Sequence, residues 1–235
     1  MLLTFWLATH MSSLRADLIG PYGTSPTTFD VDANGLLSVT GTLGTGSLSL
    51  SGGGTRMFWY PGKAAFRAGQ ITLEDIQGGT TTTQWNDSNI GTYSVAFGLD
   101  SQASGIGSSA SGAYGLASGS YSAVHNYVTV ASGFASSASG FYTTASGYAS
   151  ASDGYCTTAT AYESFVIGRF NTGGGTSGSW VSTDPLFEVG DGTYGTHSDA
   201  LLLKKNGNMT VQGNITAPAF ITTGTSGSDI PMFGS

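Results

Sequence analysis

From Ser94 to Phe170 the chain repeats every seven residues without a break. Stepping by seven from Ser94 gives Ser101, Ser108, Gly115, Ser122, Thr129, Ser136, Thr143, Ser150, Thr157 and Ser164, so ten of the eleven positions are Ser or Thr. The same step from Ala96 passes through Ala103, Ala110, Ala117, Val124, Ala131, Ala138, Ala145, Ser152, Ala159 and Val166, all small or β-branched. From Gly98 it meets glycine at nine of eleven positions, with Asn126 and Ala161 as the exceptions. Asparagine is the commonest replacement for glycine where the backbone needs positive φ, so Asn126 marks a turn requirement in this column.

A period of seven also describes a coiled coil, but that needs large apolar residues at two positions and helix formers elsewhere. The motif here, [Ser/Thr]-x-Ala-x-Gly-x-x, spaces its fixed residues two apart, which puts all three on one face of an extended strand. Each heptad therefore reads as a short strand plus a turn. Two heptads close one coil of a flattened solenoid, and the eleven heptads stack about five and a half coils, roughly 25 Å at the usual strand spacing. The expected class is all-β: a parallel β-roll of seven-residue strand repeats flanked by short β segments. Its core is thin. A buried methylene contributes about 0.8 kcal/mol and a whole Val or Leu about 1.5 to 3, so an alanine interior stabilises weakly and oligomerisation is expected.

Composition supports repetition over the alternatives. Thirty-seven glycines and 9% charged residues do not suit an ordinary packed domain. Disorder would combine low hydrophobicity with high charge, whereas aromatics reach 11% and the mean hydropathy is +0.05. Collagen is excluded because there is no Gly-x-y period and proline totals six. A net charge of −7 argues against a phosphate-binding surface, so no nucleic-acid partner is expected. Cys156 is the only cysteine, which leaves no intrachain disulfide or thiolate cluster. No apolar stretch approaches the roughly 20 residues of a membrane-spanning helix.

The chain divides into six expected segments. Residues 1–16, MLLTFWLATHMSSLRA, read as a degraded export signal, with an apolar run from Leu2 to Ala8 and a small residue at Ala16 but no positive leader. Residues 17–55 alternate apolar and polar positions between glycine turns and read as a β shaft. Residues 56–93 hold Trp59, Tyr60, Phe66 and Trp85 and read as an aromatic cap below the roll. Residues 94–170 are the heptad head, 171–200 a neck, and 201–235 a short β segment with an Asn206-Gly207 hairpin and a flexible, truncated tail. The bulky end heptads SVAFGLD and SFVIGRF read as caps of the roll. From Tyr127 the sixth heptad position runs Phe134, Phe141, Tyr148, Tyr155 and Tyr162. These aromatics are expected to pack into the corner of the roll, with a binding ridge as the alternative.

The motifs SVAFG, SSASG, TTASG and SFVIG resemble the head repeats of trimeric autotransporter adhesins of the YadA type. The resemblance covers all eleven heptads and extends to GTRMFWYPGKAAFRAG at 54–69 and ESFVIGRFN at 163–171. DPLFEVGDG and ALLLKKNGNMTV are similar to segments of that group and of phage-type fibres. It implies a left-handed roll, a homotrimer, and exposure outside the cell in association with an outer membrane. The stalk and β-barrel anchor usual in that family, and the self-cleaving chaperone of fibre relatives, have no counterpart in the sequence, which leaves the mode of anchoring open.

Site motifs are sparse. DVDANG from Asp30 matches the opening of a calcium loop, but its twelfth position is Gly41 instead of the bidentate glutamate, so an Asx turn is expected. His10, His125 and His197 lack metal-ligand spacing, and no site is assigned to them or to Cys156. No serine lies in a G-x-S-x-G elbow, and no histidine or acid is placed to activate one. Asp184, Glu188 and Asp191 are read as a solvated neck. No catalytic, cofactor-binding or metal-binding residue is expected, and the chain is not read as an enzyme. The expected function is an adhesin-like head that attaches to host, matrix or other surfaces through an extracellular protein or glycan ligand. The alternatives are a structural fibre or spacer without its own ligand and, ranked last, ice binding.

Overall fold

The computed structural model describes residues 29–31, 35, 37–72 and 82–216. The export-signal reading at 1–16, His10, residues 32–34 of the calcium-like string and the tail from 217 onward lie outside them. The described chain is all-β, with helix confined to two short 3-10 turns. Strands β1 (Phe29–Val31) and β2 (Leu37–Val39) pair antiparallel. Strands β3 (Gly54–Tyr60) and β4 (Ala65–Ile71) form an antiparallel hairpin around a turn at Pro61–Lys63.

A parallel β-solenoid of about five turns follows. Five-residue strands β5 (Val95–Leu99), β7 (Ser109–Ala113), β9 (Ala123–Tyr127), β11 (Ser137–Phe141), β13 (Ala151–Tyr155) and β15 (Phe165–Arg169) build one face. Two-residue strands β6 (Gln102–Ala103), β8 (Leu116–Ala117), β10 (Val130–Ala131), β12 (Thr144–Ala145) and β14 (Thr158–Ala159) build the other. Every pairing within these sheets joins residues fourteen apart, as in Ala138↔Ser152 and Val130↔Thr144. One coil is therefore fourteen residues, and its two halves differ: one supplies a long strand and the other a short one. The long sheet continues through β16 (Pro185–Asp191), which is parallel to β15, and then through the antiparallel strands β17 (Asp199–Lys204) and β18 (Met209–Val211). At its other edge lie β4 and β3, giving eleven strands in all.

The interior is the pair of columns of small residues. Ala96, Ala103, Ala110, Ala117, Val124, Ala131, Ala138 and Ala145 are buried in one cluster. The Ser and Thr column is equally buried, and a buried hydroxyl needs a partner. Ser108, Ser122, Ser136, Ser150 and Ser164 each donate to the carbonyl three residues back, at 2.7 to 2.8 Å. Exceptions to the columns compensate one another. A Cβ at Gly115 would lie 2.8 Å from Cγ2 of Val124, so the missing serine side chain makes room for the larger valine. Ser152, which stands in the alanine column, hydrogen-bonds Thr157 at 2.8 Å. Thr143 and Thr129 face Ala138 and Val124 at the matching positions, and their hydroxyls have no partner among the described residues.

The glycine column has positive φ at each of its long-strand positions, with Gly98, Gly112, Gly140, Gly154 and Gly168 between 96° and 125°. Asn126 is left-handed, with φ 79°. The most regular left-handed position among other residues, however, is the one just before the first position of each heptad: Asp100, Tyr114, Tyr121, Val128, Ala135, Tyr142, Ala149, Cys156 and Glu163 all have φ between 49° and 61°. Glycine is demanded mainly by proximity. A Cβ on Gly140, itself at φ 110°, would lie 2.1 Å from the carbonyl oxygen of Gly154 in the next coil. Ala161, fully buried, tolerates its methyl because the segment above it carries Gly175, where a Cβ would lie 2.7 Å from that methyl.

The ends are closed by segments outside the solenoid. Of the bulky residues of the terminal heptads, Val166 and Phe170 are buried at the last coil, whereas Phe97 and Phe165 face outward against Phe66 and Phe187. At the first coil Arg67, in register with Ala96, is fully buried. Its guanidinium donates to the carbonyls of Phe66, Ser94 and Ala103 and to Ser94 Oγ at 2.8 to 3.0 Å. Burial lowers its pKa to about 10. Trp85, also buried, donates from Nε1 to the Ser101 carbonyl at 2.8 Å. At the last coil the Asn171 amide imitates a further strand, accepting the Thr158 N–H at 2.7 Å and donating to the Thr158 carbonyl at 3.0 Å.

Two glycine–alanine exchanges in one coil should act in opposite directions. Ala135→Gly removes only an exposed methyl from a left-handed residue. Relief of about 1 to 2 kcal/mol outweighs the added unfolded-state entropy of about 0.4 to 1, so stability rises by about 0.5 kcal/mol. Gly140→Ala drives a methyl into a backbone oxygen and costs about 3 kcal/mol or more. Chemical denaturation monitored by circular dichroism measures both.

Candidate functional site

The turn aromatics are the most exposed apolar feature of the solenoid. Because one coil spans fourteen residues, the single column read along the sequence separates into two ladders on the two turns of the coil. Tyr127, Phe141 and Tyr155, at the ends of β9, β11 and β13, stack with centroids 5.0 and 5.2 Å apart and ring planes within 11°. Phe134, Tyr148 and Tyr162, in the turns after β10, β12 and β14, stack at 5.0 and 4.9 Å, also within 11°. Neither ladder fills an interior corner: Tyr127 and Phe141 are 38% exposed and Tyr155 47%. The rings pack on one another outside the core. Their faces are satisfied by stacking, which contributes about 0.5 to 1.5 kcal/mol per pair. What each ladder presents outward is a ridge of ring edges with tyrosine hydroxyls. Tyr114 and Phe170 close the first ladder edge-on, at 5.7 and 5.3 Å.

The histidines and the cysteine fall in separate places. His125 lies in the outward column Phe97, Ser111, His125, Ser139 and Asp153 of the long sheet. Its Nδ1 is 2.8 Å from Ser111 Oγ in the preceding coil. The sequence reading found no histidine beside a serine because these two are fourteen residues apart. Asp153, the acid in the same column, stands two coils beyond His125, about 9.6 Å at the usual strand spacing, too far to orient the ring. His197 Nδ1 is 2.8 Å from the Asn171 carbonyl. Cys156 is a half-buried, left-handed turn residue, and burial raises the pKa of its thiol. Among the described residues no group of three His, Cys, Asp or Glu is arranged to hold a metal ion.

The three neck acids do not form one solvated cluster. Asp191 is exposed and accepts from Ser198 Oγ. Asp184 accepts the Thr176 N–H at 2.7 Å. Glu188 is buried, 1% exposed, because its strand β16 places it in register with Val166 at the top of the inward column. Its Oε2 accepts from Asn171 Nδ2 at 2.8 Å and from the Gly173 N–H at 2.9 Å. Asp199 is its acidic neighbour and itself accepts the Thr172 N–H at 3.0 Å. Burial first, and then Asp199, push the Glu188 carboxyl above its ordinary value, while Asn171 and Gly173 pull it down. Neither the burial of Glu188 nor its pairing with Asp199 has a local sequence signal, since both depend on how β16 and β17 align with β15.

Glu188 binds its proton more tightly in the folded than in the unfolded chain. The unfolded chain therefore releases it first as pH rises above its ordinary value of 4.5, and folded stability falls from there to the raised folded value. Glu188→Gln keeps an acceptor for Asn171 and Gly173 and supplies a donor toward Asp199. The variant should melt at a higher temperature than the parent at about pH 7 and lose most of the decline that sets in above pH 4.5. Differential scanning calorimetry across pH checks this.

No family model, no curated protein and no solved structure matches the chain.

Proposed function

We propose that this chain is a cell-surface, adhesin-like head that works outside the cell as a homotrimer of left-handed β-rolls built from seven-residue strand repeats. The observation that carries the reading is the pair of exposed aromatic ladders along a parallel solenoid. Each is a short, weakly charged ridge of three stacked rings on its own turn of the coil. Exposed apolar area of this kind marks interaction surfaces, and hydroxyl-bearing ring edges suit an extracellular protein or glycan. The alanine interior supports the oligomer, since it buries few methylenes per coil. Among the described residues no helix is long and apolar enough to cross a membrane.

A structural fibre or spacer is the second reading, and the continuity of the long sheet favours it. Eleven strands run from β3 to β18 without interruption, so the flanks extend the solenoid like segments of a shaft.

Light scattering of the purified chain should give three times 23.9 kDa; a folded monomer would remove the trimer. Immobilised matrix proteins and a glycan array separate the two readings. As an adhesin head, the chain binds a component of these panels, and Phe141→Ser with Tyr155→Ser weakens that binding at least tenfold. As a spacer, it binds nothing in them.

A further inference from the structure

The two ladders differ in one chemical respect. In the first, Phe141 separates Tyr127 from Tyr155, so each stacked contact includes a phenylalanine. In the second, Tyr148 and Tyr162 are direct neighbours, with centroids 4.9 Å apart and planes 7° from parallel. This is the only coplanar tyrosine–tyrosine stack among the described residues; Tyr114–Tyr127 and Tyr127–Tyr142 meet at 85° and 62°. Glu163, exposed, is the next residue in the chain after Tyr162. Both tyrosine backbones are held in place. The Tyr148 N–H donates to Ser177 O at 2.9 Å and the Tyr162 N–H to Thr176 O at 2.8 Å, so one segment braces both turns. Tyr148 is 38% exposed, within reach of an oxidant in solution.

We propose that Tyr148 and Tyr162 form an oxidative crosslinking site, a dityrosine staple that joins two successive coils covalently under peroxidase-type one-electron oxidation. Each phenol gives up one electron and its hydroxyl proton, the proton passing to water. The two phenoxyl radicals join through a carbon ortho to each oxygen. The hydrogens on those carbons then move to the oxygens, which restores both phenols. Two hydrogen atoms are lost in total, and one hydrogen peroxide is reduced to two waters. Stacking supplies the proximity that coupling needs, since a reaction between two groups held in register gains from their high effective concentration. The staple closes a loop of fourteen residues and stabilises mainly by restricting the unfolded chain, as any crosslink does. It requires neither the trimer nor an adhesive ligand.

The test exposes the folded full chain to a peroxidase and hydrogen peroxide, then cleaves it before aspartate. Asp153 lies between the two tyrosines in sequence, so the staple appears as two fragments joined with the loss of two hydrogens, accompanied by blue dityrosine fluorescence. Tyr148→Phe and Tyr162→Phe keep the stack but should each abolish the linked pair. Tyr155→Phe, on the other ladder, should leave it unchanged. No linked pair in the parent, or a linked pair that persists in Tyr148→Phe, would overturn the assignment.

Discussion

The solenoid depends on how closely one coil can lie on the next. Parallel strands hydrogen-bond at a fixed spacing of about 4.8 Å, and at the glycine positions the backbone of one coil passes where the next coil's carbonyl oxygen leaves no space for a Cβ. That contact forces the same residue types to recur along the stack. The interior between the two sheets is a separate constraint: it accepts alanine, serine and threonine, with valine at Val124 where Gly115 makes room. Abundant glycine follows from the stacking distance, and small inward side chains from the narrow gap between the sheets.

A stack with so little apolar depth has exposed ends, and both are closed by charge. The inward column of the long sheet runs from Arg67 through Ala96, Ala110, Val124, Ala138, Ser152 and Val166 to Glu188. At the start a guanidinium adds donors to the Ser94 and Ala103 carbonyls, which also accept the Phe66 and Gly91 N–H groups. At the finish, the carboxyl of Glu188 holds Asn171 and Gly173 while the Asn171 amide stands in for the missing strand. Burying polar groups is unfavourable unless they are hydrogen-bonded. Here the backbone groups of a terminal coil need such partners in any case, so a polar plug is better suited to a solenoid end than a phenylalanine. Phe97 and Phe165 are accordingly left outside.

The sequence makes the solenoid legible because repetition reports whatever is packed inside it. The inward columns, the fourteen-residue coil and the left-handed Asn126 all follow from residue type and spacing. Other features leave no such trace. The recurrent left-handed position carries Asp100, Val128, Ala135, Cys156 and Glu163 by turns, because the coil geometry imposes it whatever the side chain. The two halves of a coil share a motif yet form strands of five and two residues, a difference set by the shape of the whole coil. Arg67 and Glu188 reach the column across gaps of 29 and 22 residues instead of fourteen, so only the hairpin and the intervening loop bring them there. His125 and Ser111 meet for the opposite reason: the period joins them, and no catalytic motif would.

The central claim is that the stacking unit is fourteen residues, and two deletions test it directly. Removal of residues 137–150 takes out one whole coil and leaves β9 facing β13 in register. Removal of residues 137–143 sets a two-residue strand where a five-residue strand belongs and misaligns every coil above it. Thermal unfolding followed by circular dichroism should show a cooperative β transition in the first variant, near that of the parent, and none in the second. Equal stability of the two deletions would contradict the account.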